Sequence, residues 1–265
     1  MRTVLITGAS SGVGSATATL FRENGWQVAA TMRTPAAEAQ AHGELVTRLD
    51  VQDPASITAA IEATTRRFGR LDAVINNAGY GQYGIFESVP PAEVLRQLEV
   101  NLLGPMAVIR AALPHLREAG DGVVVNVSSG AGLYGLPMTS VYCASKYALE
   151  GFTEAVSYEL RGTGVAVKLV IPHGGVSGTF FGTGAPVPPV PAEYQAYAER
   201  TWTAGAARPA PEPVAAEVVA STIYQAATDN SERLRYLVGN DNRGLIAALD
   251  LPLAKREARL RALLS

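Results

Sequence analysis

Cysteine is almost absent from this chain: Cys143 stands alone, so no internal disulfide can form and a reducing, cytoplasmic setting is expected. Its thiol adjoins a tyrosine, but no nucleophile motif surrounds it, so it reads as a structural residue. Charge is scarce as well, at 17% of residues against about a quarter in an ordinary domain. That shortage points to surface hidden between subunits, and abundant alanine accounts for part of it. The formal balance is −2, which leaves no basic footprint for nucleic acid. No apolar run approaches the roughly 20 residues of a membrane span, so no membrane partner is expected. There is no internal repeat and no linker, and no metal is expected. The N-terminus opens directly on a strand-like run, and a cleavable leader there would take the strand with it.

What is present is a regular alternation. The 265 residues, 48% of them hydrophobic, suffice for one large domain with a sizeable core. Strand-like segments fall at 2–7, 27–31, 44–49, 73–76, 123–128, 165–171 and 234–238. Two of them, VVVNV and VAVKLVI, are nearly continuous in apolar residues, as strands covered on both faces are. Helical spacing occupies 15–23, 54–68, 91–118, 139–161, 212–228 and 243–264. The pattern predicts an α/β fold, a Rossmann-like doubly wound parallel sheet of about seven strands with helices on both faces. It predicts a single domain over 1–265.

Two motifs carry chemistry. The first strand-like run enters the loop Gly8-Ala9-Ser10-Ser11-Gly12-Val13-Gly14, and a helix follows. Strand, glycine loop and helix form the context that gives glycine spacing its meaning. Glycine lets the backbone turn tightly and approach a phosphate, and the helix N-terminus offers unpaired N–H groups to a pyrophosphate. The second motif is Tyr142-Cys143-Ala144-Ser145-Lys146. Tyrosine and lysine four apart on a helix share a face. A free phenol titrates near about 10, and an adjacent ammonium favours the phenolate. Lowering the phenol by about three units asks for roughly 4 kcal/mol, within reach of one lysine plus a cationic ring in a shielded site.

These motifs occur together with Asp50-Val51, the NNAG run at 76–79, Asn101 in VNLLG, and Ser128-Ser129. In this order and spacing the chain resembles the short-chain dehydrogenase/reductase family, in its compact single-domain branch, over most of its length. The stretch around Tyr142 is similar to hydroxysteroid dehydrogenases and ketoreductases. The resemblance implies an oxidoreductase that interconverts a ketone or aldehyde and an alcohol by hydride transfer, its partner a small molecule. It implies Tyr142 as general acid and base, Ser129 as holder of the substrate oxygen, and Ser128 as structural. Lys146 would lower the phenol and bind the nicotinamide ribose, and Asn101 would hold a relay water. Asp50 would meet the adenine amino group with Val51 beside it, while Asn77, Ala78 and Gly79 line the floor. A homodimer or homotetramer built on the helices near 91–118 and 139–161 also follows. Two alternatives share the fold: epimerase or dehydratase chemistry, and a nucleotide-binding protein that has lost catalysis.

After the second strand the chain reads Ala30-Thr31-Met32-Arg33-Thr34, with no carboxylate for the ribose hydroxyls of NAD. Arg33 can take a 2′-phosphate with two donors, so NADP(H) is expected over NAD. The glycine loop adds no lysine or arginine to that case. The family pattern Pro-Gly-x-Val-x-Thr becomes Pro172-His173-Gly174-Gly175-Val176-Ser177-Gly178-Thr179 here, about two residues longer. By resemblance Pro172, Gly174, Gly175, Val176 and Thr179 hold the nicotinamide end, with Ser177 a rival to Thr179. His173 reads as a local hydrogen-bonding residue rather than a substrate contact. A substrate lid is expected within about 173–211, with a long proline-rich loop over 180–206. Its aromatics (Phe180, Phe181, Tyr194, Tyr197, Trp202) argue for an apolar substrate or for lid packing. Tyr80, Tyr83, Leu133, Tyr134, Leu136 and Met138 are candidates to complete the pocket.

Overall fold

The computed structural model describes residues 1–35, 44–177, 184–207, 212–241 and 244–264. Its strands are β1 (Thr3–Thr7), β2 (Gln27–Met32), β3 (Leu45–Arg48), β4 (Ala73–Asn76), β5 (Gly122–Val127), β6 (Val165–His173) and β7 (Arg235–Gly239). Its helices are α1 (Gly12–Glu23), α2 (Pro54–Phe68), α3 (Pro91–Leu98), α4 (Gly104–Ala119), α5 (Ser140–Glu159), α6 (Gln195–Ala207), α7 (Ala216–Thr228) and α8 (Leu253–Leu264). The strands form one sheet in the order β3-β2-β1-β4-β5-β6-β7, and every pairing is parallel.

Side chains alternate across each strand, so one short run serves two cores. Val4 and Ile6 of β1 face Phe21 of α1 and Val219 and Ile223 of α7. Leu5, between them, faces Ile57 and Ile61 of α2 and Val108 and Leu116 of α4. Each such side chain contributes about 1.5–3 kcal/mol by leaving water. The chain reverses its direction of travel across the sheet between β1 and β4. At such a switch point the carboxyl ends of the strands part and leave a crevice. No helix among the described residues is long and apolar enough to cross a membrane.

The structure departs from the expected elements in four places, one of them the stretch 243–264, which is an α-helix only over α8 and carries a separate 3₁₀ turn at Ala247–Asp250. The stretch 91–118 is not one regular helix: a π turn, Glu99–Leu103, joins α3 to α4. An extra residue in one turn redirects the side chains there, and Asn101 lies inside it. The stretch 212–228 is helical only from Ala216, because Val214 is bridged to Val176 instead. The loop expected over 180–206 contains α6, whose alanine- and glutamate-bearing sequence follows the last of the prolines. Proline content upstream had masked it.

One polar chain pins α5 to the sheet. Asn76 and Asn126 face each other in register on β4 and β5, and Asn76 Nδ2 donates to Asn126 Oδ1 at 2.8 Å. Asn126 Nδ2 donates in turn to Thr153 Oγ1 of α5 at 2.9 Å. Asn126 and Thr153 are fully buried, so each lost partner leaves an unsatisfied group. Asn126→Ala is therefore expected to destabilise the fold by about 2–3 kcal/mol, read from the urea midpoint at unchanged slope. An effect below about 0.5 kcal/mol would show that the chain is decorative.

Candidate active site

The carboxyl ends of β1, β4, β5 and β6 open onto one cleft of about 920 Å³. Gly8, Ser10, Ser11, Gly12 and Val13 line one end, beside Arg33, Asp50 and Val51. Asn77, Ala78 and Gly79 form its floor, and Ser128, Ser129, Tyr142 and Lys146 its inner wall. Pro172, Gly174, Gly175 and Val176 close the far side. Two expected residues, Gly14 and Asn101, lie behind the wall instead of in it. Thr179 falls outside the described residues.

The glycine loop is built by close packing. Gly8 has φ +67°, and a Cβ there would lie 2.9 Å from the Ala78 Cα, where only backbone could yield. Gly14 is a packing glycine: a methyl group on it would strike the Gly8 carbonyl and lie 2.6 Å from Asn77 Nδ2. Thr7 fastens the two segments together. Its Oγ1 accepts the Asn77 and Ala78 amides, each at 3.0 Å, and Asn77 Nδ2 donates back to the Thr7 and Gly8 carbonyls at 3.1 Å. So NNAG is both a strand-end turn and the support of the loop. Ser11, the N-cap of α1, makes no side-chain cap bond. The first-turn amides beside the cleft are left without a side-chain partner, which fits an anionic group such as a pyrophosphate. Arg33 is exposed at the cleft edge and makes no hydrogen bond or ion pair among the described residues.

On α5, Tyr142, Ser145, Lys146, Leu149, Glu150 and Thr153 are all buried, at spacings that make one stripe. Packing therefore dictates which way the chemistry faces. The Ser129 side chain hydrogen-bonds the Tyr142 phenol, and Ser129 Oγ accepts the Ala131 amide at 3.2 Å. Lys146 Nζ sits 5.9 Å from the centre of the Tyr142 ring and donates to the Val127 carbonyl at 2.9 Å. Ser145 Oγ links this stripe to the π turn, accepting from Asn101 Nδ2 at 3.2 Å. Asn101 otherwise grips the Tyr80 backbone, donating to its carbonyl at 2.9 Å and accepting its amide at 3.2 Å. Its carboxamide thus shapes the floor and does not reach into the cleft.

The ionisation of the pair differs from expectation. Burial pushes the Tyr142 phenol up from its ordinary value, against the opposing hydrogen bond from Ser129. Burial also pushes Lys146 down to about 8, with the Glu150 carboxylate pulling the other way. The expected lowering of the phenol by Lys146 is not a property of the protein alone. Desolvation outweighs a single amine that is already engaged with a carbonyl.

Tyr80, Tyr83, Val100, Tyr134 and Leu136 line the substrate end, whereas Leu133 and Met138 do not. Met138 packs with Ile85 and Ala198, and Val190 and Tyr194 complete a small cluster that docks α6 on the loop after β4. Tyr194 donates to Glu87 at 2.8 Å, so this aromatic serves packing. Phe180, Phe181 and the Trp202 side chain lie outside what the structure describes. His173 lines the cleft half-buried; its ring donates to the Asn240 carbonyl and burial lowers its pKa. Arg96 was not foreseen. It lines the cleft, stacks over Tyr80 at 4.9 Å and donates to the Gly184 carbonyl at 3.3 Å. Its i, i+3 spacing from Glu93 was the only signal, and that reads as an ordinary surface pair.

A glycine-built anion cradle and a Ser-Tyr-Lys cluster, its tyrosine and lysine buried, meet at the switch point of a parallel sheet. Residues 2–183 match the family model for short chain dehydrogenase, and the chain belongs to that family of oxidoreductases, which bind NAD or NADP. It is 39% identical over 169 residues to a 3-ketodihydrosphingosine reductase of Bacteroides thetaiotaomicron, covering 64% of this chain and 62% of that one. It is 39% identical to 17-beta-hydroxysteroid dehydrogenase type 1 of Homo sapiens over 63% of this chain and 55% of that protein. The chain thus spans about three-fifths of the length of these relatives. A short-chain dehydrogenase from Streptomyces avermitilis superposes with TM-score 0.81 at 31% identity, over 98% of this chain and 93% of that one.

The cradle makes a direct expectation. Gly8→Ala should weaken NADH and NADPH binding alike by about 5- to 30-fold in a fluorescence titration, since it strains the turn by about 1–2 kcal/mol. Gly135→Ala, where nothing lies within 4 Å of the added methyl, should leave binding unchanged. Equal behaviour of the two variants would remove Gly8 from the cradle.

Proposed function

We propose that the protein is an NADP(H)-dependent carbonyl reductase or alcohol dehydrogenase acting on an apolar ketone, aldehyde or alcohol. The observation that carries this reading is the Ser129–Tyr142 hydrogen bond, with Lys146 against the same ring, at the inner end of a cleft whose outer end holds the glycine loop and Arg33. When bound, the nicotinamide supplies or accepts the hydride. Tyr142 supplies the proton. In reduction its phenol O–H bond breaks and the proton passes to the substrate oxygen, which Ser129 holds as negative charge develops there. Burial keeps the phenol protonated at neutral pH, which suits a proton donor. The phenolate left behind needs a cation, and Lys146 is the nearest described candidate. Oxidation needs the phenolate first, which burial opposes until a cation is brought against the ring.

Arg33 supports NADP over NAD because its guanidinium has no competing partner among the described residues and no carboxylate ends β2. The tyrosines and Leu136 at the substrate end support an apolar substrate, as do the lipid-like and steroid substrates in the names of two relatives. Leu95, Leu103, Tyr147 and Tyr158, large and exposed on α3 to α5, support a homodimer or homotetramer through those helices. The lone buried thiol of Cys143 is in keeping with a reducing cytoplasm.

The test is turnover of a panel of ketones and aldehydes followed by NADPH and NADH absorbance. Tyr142→Phe should cut kcat by about 10³-fold while NADPH binding persists. Arg33→Ala should raise the KM for NADPH about tenfold or more and leave that for NADH little changed. Reduction should decline as pH rises through about 8, where Lys146 gives up its proton. Full activity of the phenylalanine variant, or equal use of both nucleotides by the wild type, would overturn the corresponding assignment.

A further inference from the structure

We infer that Glu150 is a positioning residue for this site: its carboxylate, one helical turn beyond Lys146 and braced from β7 by Arg235, is the fixed counter-charge of the Lys146 ammonium. The inference rests on the reading of Lys146 as part of the active site.

Glu150 is 5% exposed, a burial that costs a carboxylate several kcal/mol unless it is matched. Arg235 Nε donates to its Oε2 at 3.0 Å, while Oε1 is buried with no hydrogen-bond partner among the described residues. Gly132 packs directly against this side chain. A Cβ at Gly132 would lie 3.0 Å from Glu150 Cγ, 3.0 Å from the Lys146 carbonyl and 3.1 Å from Ser128 Oγ. Only glycine lets this turn pack against the Glu150 methylene, next to Ser128 Oγ, a second buried oxygen without a partner among the described residues. Lys146 has the complementary deficiency. Among the described residues its one hydrogen bond goes to a neutral carbonyl, and burial works against its charge.

Among the described residues, the groups around this pair leave Glu150 as the one counter-ion. From α5 come Tyr142, whose ring lies 5.9 Å from Lys146 Nζ, and Glu154, which takes Arg235 Nη2 at 2.5 Å. From β7 comes Arg235 alone, shared between Glu150 and Glu154. From the π turn comes Asn101, neutral and reached through Ser145. From the turn after β5 come Ser128 and Gly132, neither charged. Charge therefore alternates outward from the cleft through Lys146, Glu150, Arg235 and Glu154. A staple joining α5 to β7 accounts for the Glu150–Arg235 pair but not for the second carboxylate oxygen, which is buried one helical turn from Lys146 without a hydrogen bond among the described residues.

The test reads Lys146 directly, in the full chain without nucleotide, by the pH dependence of its acetylation with acetic anhydride followed by mass spectrometry. In the wild type the midpoint should lie near 8. Glu150→Gln should lower it by about one unit, leaving roughly a fifth as much charged lysine at that pH. Glu150→Met, which keeps the methylene packing on Gly132, should shift it the same way and serves if the glutamine variant does not fold. Glu154→Gln should leave the midpoint in place. Circular dichroism confirms folding in each case. An unmoved midpoint in folded Glu150→Gln or Glu150→Met protein overturns the inference, as does an equal shift in Glu154→Gln. Where turnover is measurable, the basic limb of kcat should fall by the same increment. A shifted midpoint in a protein without reductase activity would sink the proposed function and leave this inference standing; turnover with an unshifted midpoint would do the reverse.

Discussion

Tyr142 and Lys146 can ionise only against the cost of burial, because the stripe of α5 that carries them is also the surface by which the helix packs onto the sheet. Everything distinctive about the site follows from that double duty. The phenol is held protonated, the amine is held near the point of losing its proton, and each is answered by a particular neighbour: Ser129 for one, Val127 and Glu150 for the other. The same packing fixes their aim. Rotating α5 to relieve the desolvation would withdraw Leu149 and Thr153 from the interior, so the fold keeps the strained ionisation.

Much of this was legible in the residues. Nearly continuous apolar runs such as VVVNV mark strands covered on both faces, and seven strands with intervening helices leave few arrangements other than a doubly wound sheet. Tyr142 and Lys146 could be placed on one helical face from spacing alone, and the glycine loop between β1 and α1 from its context. Spacing says which face, however, and not how dry it is. The direction of the Tyr142 shift therefore came out opposite to the expectation, because burial depends on β5 and the turn after it, far away in sequence. Glu150 was overlooked for a similar reason: on a helical wheel it is one more carboxylate, and only the arrival of Arg235 from β7 makes it an interior charge.

Other misses have local causes. The π turn at Glu99–Leu103 is invisible to a 3.6-residue period, which tolerates one extra residue without losing its apolar rhythm. Helix α6 was hidden behind prolines that end just before it begins. Thr7 is the plainest lesson. A threonine closing a β-strand is unremarkable by propensity, yet its hydroxyl accepts two amides from the turn after β4. That role is a three-dimensional coincidence of two strands that are neighbours in space but not in order.

The cleft draws its walls from Gly8 through to Val176, on segments at the ends of six separate strands. None of these walls exists in a chain that has paired only some of its strands, and parallel pairing is late because each contact must first close a long loop. A molecule filling the cleft consequently bridges the whole sheet. Its affinity is coupled to cooperative folding of the entire chain and not to the ordering of one segment, so saturating it would raise the melting temperature of every strand together.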